Sequence, residues 1–191
     1  MSTKLSSGFS LVETIVAIAI LSLSIAGTFT AVQSGIQAST VAKDQATAFY
    51  LVQEGMEFIK NIRDENALYE VANPTLPAKN WLTGILVDSN GISGPCDFGK
   101  TCIIDVPAKT IGIQPGNYSC SGGLGTCPRI NQDISSGLFG YTQGWFPTTF
   151  RREIQFQSIT VDEVRVLISV SWTSRGKTRS FQVTQSLFNR Q

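Results

Sequence analysis

Four cysteines, Cys96, Cys102, Cys120 and Cys127, are the only thiols in the chain, and they fall in two spaced pairs, C-x5-C and C-x6-C. Neither spacing is the tight C-x2-C knuckle of common zinc sites. The chain contains no histidine. That removes Ser-His-Asp and Cys-His nucleophilic catalysis and any imidazole-ligated metal. Carboxylates can still do acid–base work in pairs, but nothing in the spacing of Asp88, Asp97, Asp105 and Asp133 singles out a pair. Asp88-Ser89-Asn90-Gly91 offers oxygens to calcium but lacks the later bidentate Glu, and it reads as a plain turn. Gly122, Gly123 and Gly125 are not followed by Lys-Ser/Thr, so they make no phosphate loop. Trp81, Tyr141, Trp145 and Phe146 can form a sticky surface, although packing within the domain is the simpler expectation. The residues therefore predict no metal, no cofactor and no enzymatic activity.

Glu13 is a different kind of anomaly. It is the only charged residue between Lys4 and Lys43, and it lies in the apolar run from Phe9 to Val32. That run is long enough to span a bilayer, which takes about 20 residues of helix. A charge at the centre of such a helix costs roughly 2.5–3.5 kcal/mol on insertion scales, so the carboxylate needs a compensating partner. Lys4 precedes the run and predicts a cytoplasmic start with the remainder exported. No convincing small-residue cleavage site follows the apolar run; Ser22 to Gly27 is only a weak candidate.

The elements that must position these residues begin with that helix. After Val32 the sequence stays helix-compatible, with no proline until Pro74. Ala42, Ala46, Phe49, Val52, Met56 and Ile59 recur at three- and four-residue steps beside a second row, Leu51, Gly55, Phe58 and Ile62. Together they predict an amphipathic stripe laid on a domain core. Lys60 is in reach of Glu57 or Asp64 on the polar side. The predicted helix runs from Phe9 to about Asn66, roughly 85 Å at 1.5 Å per residue.

Residues 73–149 are dense in Gly, Pro, Ser and Asn, with short strands expected around Gly84–Val87, Cys102–Val106 and Leu138–Tyr141. All four cysteines lie in the segment the anchor exports, which favours disulfides. Three pairings are possible. The local one, Cys96–Cys102 with Cys120–Cys127, closes two short loops worth on the order of 2 kcal/mol each. From Phe150 the pattern becomes an alternation. Phe150, Arg152, Ile154 and Phe156 alternate with polar neighbours, and Val164, Val166, Ile168, Val170 and Trp172 do so again. With turns at Thr160–Glu163 and Ser174-Arg175-Gly176-Lys177, this predicts a three-stranded antiparallel meander over about 150–188, packed by its apolar face on the long helix. The fold class is thus α+β: a long N-terminal membrane-spanning helix, a disulfide-bearing loop region, and a C-terminal antiparallel β-sheet.

The chain of 191 residues is 42% hydrophobic and 15% charged, with a net charge of +1. This allows one ordinary domain plus an anchor. A general nucleic-acid binder is not indicated, because there is no basic excess.

The stretch GFSLVE, Gly8 to Glu13, resembles the processing site of type IV prepilins and type II secretion pseudopilins. The polar leader with one Lys, the Gly-Phe pair, the Glu at the fifth position after the Gly and the long apolar run occur together. The order R-x-E-I-x-F, V-x-V-x-W, x-G-K and a last strand is similar to the end of minor pilins and pseudopilins of the V and I types. The two resemblances bracket the chain and leave its middle unmatched.

The resemblance implies a leader of residues 1–8, a helix over 9–66 with its membrane or filament-core part at 9–32, and an exported globular domain over 67–191. It implies cleavage between Gly8 and Phe9 by a prepilin peptidase that also N-methylates Phe9. The partners implied are other pilin or pseudopilin subunits, the inner-membrane assembly platform and the membrane itself. Localisation would be a single-pass cytoplasmic (inner) membrane protein, then a periplasmic or cell-surface filament. Glu13 would then meet the new ammonium of a neighbouring subunit, each charge offsetting the other's desolvation. The competing expectation is a single-pass anchored binding protein that never assembles.

Overall fold

The computed structural model describes residues 8–76, 79–87, 96–111, 120 and 122–189. The leader up to residue 7 and the turn at 88–91 lie outside the described residues. The chain divides into two compact units, Met1–Lys43 and Asp44–Gln191. One helix, α1 (Leu11–Ala72), supplies residues to both.

In the first unit α1 is apolar on every side, and all its described side chains are exposed or half-exposed. It is long and apolar enough to cross a membrane. Several of its hydroxyls bond back to the helix's own carbonyls. Thr14 donates to the Leu11 carbonyl, Ser24 to Ile20, Thr28 to Ile25 and Thr40 to Ile36. Each of these four hydroxyls thus finds its partner within the helix, which a hydrocarbon environment favours.

The second unit holds the core. Among the described residues nine strands follow α1: β1 (Thr101–Cys102), β2 (Ile104–Asp105), β3 (Thr110–Ile111), β4 (Asn131–Gln132), β5 (Phe139–Gly140), β6 (Phe146–Pro147), β7 (Phe150–Thr160), β8 (Glu163–Ser174) and β9 (Lys177–Phe188). The last three form the expected antiparallel meander, with Ile154 opposite Ile168 and Ile168 opposite Val183. Strand β1 adds to the far side of β7, giving a four-stranded sheet ordered β1-β7-β8-β9. Two small sheets, β2-β3 and β5-β4-β6, come from the turn-rich middle.

The apolar face of the large sheet packs on the second part of α1. Ile154, Phe156, Val164, Val166, Ile168 and Val170 are buried with Ala48, Leu51, Val52, Met56 and Ile59. Contact is close at Gly55, where an added Cβ would lie 3.3 Å from Ile168 Cδ1. A side chain there would require Ile168 to shift.

Three local expectations need correction. The helix does not end near Asn66 but continues to Ala72. Asn66 turns inward, where its Nδ2 donates to the carbonyls of Trp81 at 3.1 Å and Thr83 at 2.8 Å. Its amide is satisfied by a distant loop, so it does not compete with the helix backbone. Second, Ala42, Ala46 and Phe49 are exposed, and the buried stripe begins instead at Ala48. The Phe49 ring meets Phe181, at 5.9 Å between centroids, and not the core. Third, Gly84–Val87 is a turn with an isolated bridge between Thr83 and Val87, not a strand. Gly84 has φ +79 and its N–H closes onto the Val87 carbonyl. That left-handed backbone breaks a strand and favours glycine.

Candidate functional site

Gly8, Phe9 and Ser10 precede the first turn of α1. Phe9 is 81% exposed, and no atom lies within 4 Å of where a Gly8 Cβ would be. The peptide between them is therefore uncrowded by the described residues. Ser10 begins the helix: its Oγ accepts from the Glu13 N–H at 3.3 Å, and its carbonyl accepts from the Thr14 N–H at 3.2 Å. This makes Ser10 an N-cap and Glu13 the third residue of the helix, the Ser-x-x-Glu spacing of a capping box. Sequence reasoning passed over this cap, although the spacing was its signal. A carboxylate in the first turn also meets the positive end of the helix dipole, which offsets part of the cost of its charge.

The cysteines are joined locally. Cys96 pairs with Cys102 and Cys120 with Cys127, and none is free. Cys102 sits on β1 beside Ile154 of β7, so the first disulfide is stitched to the large sheet. Cys96, Cys102 and Cys127 are buried, whereas Cys120 is half-buried.

Two adjacent charges on β7 hold the unit together from opposite faces. Arg152 is fully buried on the helix side. Its guanidinium donates to the Leu51 carbonyl at 3.1 Å, the Glu54 carboxylate at 2.5 Å and the Ile104 carbonyl at 2.8 Å. Glu153 points the other way and is 1% exposed. Its carboxylate accepts from the Gly125 N–H at 2.7 Å and the Cys127 N–H at 2.9 Å. Arg151, on the same face as Glu153, donates to the Gly125 carbonyl at 2.5 Å. The second disulfide loop is thus held through Gly125, whose φ of +96 suits glycine.

Of the carboxylates considered for acid–base work, Asp88 lies outside the described residues, and Asp97, Asp105 and Asp133 are not brought together. Asp97 accepts from the Phe98 N–H. Asp133 is half-buried and closes its own turn, accepting from the hydroxyls of Ser136 and Ser135. Those bonds, Ser136 first, hold its carboxyl down at about 2. Asp105 is buried and accepts from the Tyr141 N–H at 3.3 Å. Tyr141 packs beside it, and burial pushes its phenol above the ordinary value. Gly140 lies so close that an added Cβ would be 2.9 Å from both Asp105 and Trp145. Of the four aromatic residues weighed as a sticky surface, Trp81 and Tyr141 are buried, Trp145 is half-buried and Phe146 is 61% exposed. Among the described residues, no three His, Cys, Asp or Glu side chains gather as a metal site.

Comparison with known proteins bears on the N-terminal segment. Residues 3–29 match the family model of the prokaryotic N-terminal methylation motif. No curated protein and no solved structure matches the chain. The motif is the N-terminal segment of type IV prepilin-like proteins, and this chain carries it.

Proposed function

We propose that this chain is a minor pilin or pseudopilin, processed after Gly8, N-methylated at Phe9 and assembled through its apolar helix into a type IV pilus or type II secretion-like filament. The observation that carries the proposal is the methylation motif over residues 3–29, leading into a helix whose first part, from Leu11 to Ile36, leaves its large apolar side chains exposed in the single chain. Apolar surface on this scale must be covered by lipid or by other helices. Prepilin processing supplies both in turn: a membrane first, a bundle of identical or related helices afterwards.

Glu13 fits the second stage. Cleavage leaves an ammonium at Phe9, and in a helix bundle that ammonium on one subunit meets Glu13 of a neighbour. Outside such a bundle Glu13 is served only by its place in the first helical turn. The pairing would therefore favour one register of assembly. The resemblance of the three C-terminal strands to V- and I-type endings favours a minor subunit over a major one. The role is structural: filament initiation or capping, adhesion, motility, DNA uptake or secretion.

Mass spectrometry of the N-terminus of protein purified from its native membrane tests the proposal. A mature chain beginning at methylated Phe9 is expected. An intact Met1, or cleavage after about residue 25, would overturn it and leave a plain anchored binding protein.

A further inference from the structure

One face of the large sheet is occupied by α1; near the β8–β9 end of the other lies a small polar cavity. It measures about 90 Å³ and is lined by Arg129, Thr149, Arg151, Ser171, Thr173 and Thr178, with Trp172 completing the wall. Strand register explains the grouping. Arg151 lies opposite Ser171 across the β7–β8 pair, and Thr173 lies opposite Thr178 across the β8–β9 pair. Directly paired residues, and residues two apart on one strand, share a sheet face. One guanidinium and three hydroxyls are thereby placed on one surface by the backbone alone. Arg129 and Thr149 close the cavity from the segments leading to β4 and β7.

The chemistry of the lining is one-sided. All six named residues offer N–H or O–H donors, and none carries a carboxylate. The Arg151 Nε–H is buried and has no partner among the described residues, although the same guanidinium uses Nη1 on the Gly125 carbonyl. A buried donor on a charged group left unpaired is costly, so the site is built for an acceptor that the chain does not supply. Arg129 is exposed and makes no hydrogen bond or ion pair among the described residues. The nearest acid on this face along β7 is Glu153, whose carboxylate is engaged by the N–H groups of Gly125 and Cys127. Around the cavity, the β8–β9 turn adds Arg175 and Lys177, and the chain from Val164 to its end contains no Asp or Glu.

The geometry points to a phosphate group as the ligand of this cavity, seated between Arg129 and Arg151 and accepting from the surrounding hydroxyls. A tetrahedral oxyanion has acceptors in four directions, matching donors that converge from β7, from β8–β9 and from the Arg129 segment. Guanidinium groups recognise such oxygens with charge-assisted, often paired hydrogen bonds. The volume is a few times the roughly 30 Å³ that a water occupies in the liquid, enough for one such group and too small for a nucleoside. The phosphate is either free in solution or the headgroup phosphate of an anionic lipid.

The test uses the full chain in a non-ionic detergent and phosphate-free, low-salt buffer, with arginine labelled by nitrogen-15. Two probes separate the sources: inorganic phosphate, and glycerophosphoglycerol, the water-soluble headgroup of an anionic lipid. Saturable binding that moves the Arg151 Nε–H signal is expected, and Arg129→Gln should weaken it about tenfold or more through loss of one charge-assisted contact. Tighter binding of inorganic phosphate assigns the free anion; tighter binding of glycerophosphoglycerol assigns a headgroup. Failure of both to saturate, or equal binding by Arg129→Gln, overturns the site. Should Arg129→Gln lose its circular dichroism signature, Thr178→Val provides the same comparison with a weaker expected loss.

Discussion

Arg152 of β7 and Glu54 of α1 form an ion pair at 2.5 Å across the helix–sheet interface, and Arg152 has no exposed surface at all. The arginine sits in line with Phe150, Ile154 and Phe156 on the apolar face of the strand. Its burial is sustained because two carbonyls, of Leu51 and Ile104, join the carboxylate as acceptors. One side chain thus ties helix, central strand and a strand of the middle segment to a common point.

Removing Arg152 should be among the most damaging single changes in the second unit. Arg152→Ala opens a cavity, frees two buried carbonyls and strips Glu54 of its partner, an expected loss of about 3–5 kcal/mol. Arg152→Met, which keeps the volume and buries no charge, should lose distinctly less. Urea denaturation followed by tryptophan fluorescence measures both; equal stability of wild type and Arg152→Ala would reject the role.

Glu153 holds the second disulfide loop from the opposite face. Glu153→Gln keeps the shape but weakens charge-assisted bonds to Gly125 and Cys127, an expected cost of about 1.5–3 kcal/mol. Gly125→Ala should cost about 1–3 kcal/mol for its left-handed backbone. Because Cys120 is half-buried and Cys96 and Cys102 are buried, mild reduction should open Cys120–Cys127 first. Timed alkylation with peptide mapping reads that order, and simultaneous labelling of all four thiols would contradict it.

Tyr141 makes a prediction about alkaline pH. Its folded phenol titrates above the ordinary 10.0 because burial disfavours the phenolate. The protonated phenol is then favoured by folding, so its contribution is fully present below pH 10.0 and fades as pH rises above it. Tyr141→Phe should lower stability slightly at neutral pH and flatten the fall between pH 10 and 11. Denaturation midpoints of both proteins across that range decide it; parallel curves would exclude Tyr141 as the cause.

Glu13→Ala separates processing from assembly. Cleavage after Gly8 should proceed, since Ser10 still caps the helix, while incorporation into filaments should fall sharply. Immunoblots of membrane and sheared-filament fractions report the two steps. Normal incorporation would remove the intersubunit charge pair from the proposal, leaving Glu13 as a first-turn carboxylate at the positive end of the helix dipole.

The local part of this architecture could be read directly from residue order. The long apolar run and the period-two alternation of Val164 to Trp172 are properties of near neighbours, fixed by helix and strand geometry, and the Ser-x-x-Glu start that went unread is equally local. The α+β class follows from the run and the alternation. The middle was harder, because strands of two residues, such as Asn131–Gln132, are too short to carry any period. They exist only where another segment offers hydrogen bonds.

Tertiary structure alone decided the remainder. It set which of three disulfide pairings forms, turned Asn66 toward the loop at Trp81 and Thr83, and moved the buried stripe from Phe49 to Ala48. It also revealed why adjacent Arg152 and Glu153 are both buried on opposite faces of one strand. Alternation tells that the two side chains point apart; it does not name partners roughly a hundred residues away in one case and a disulfide loop in the other. Such partners depend on how the chain closes its long loops, and no local pattern encodes that.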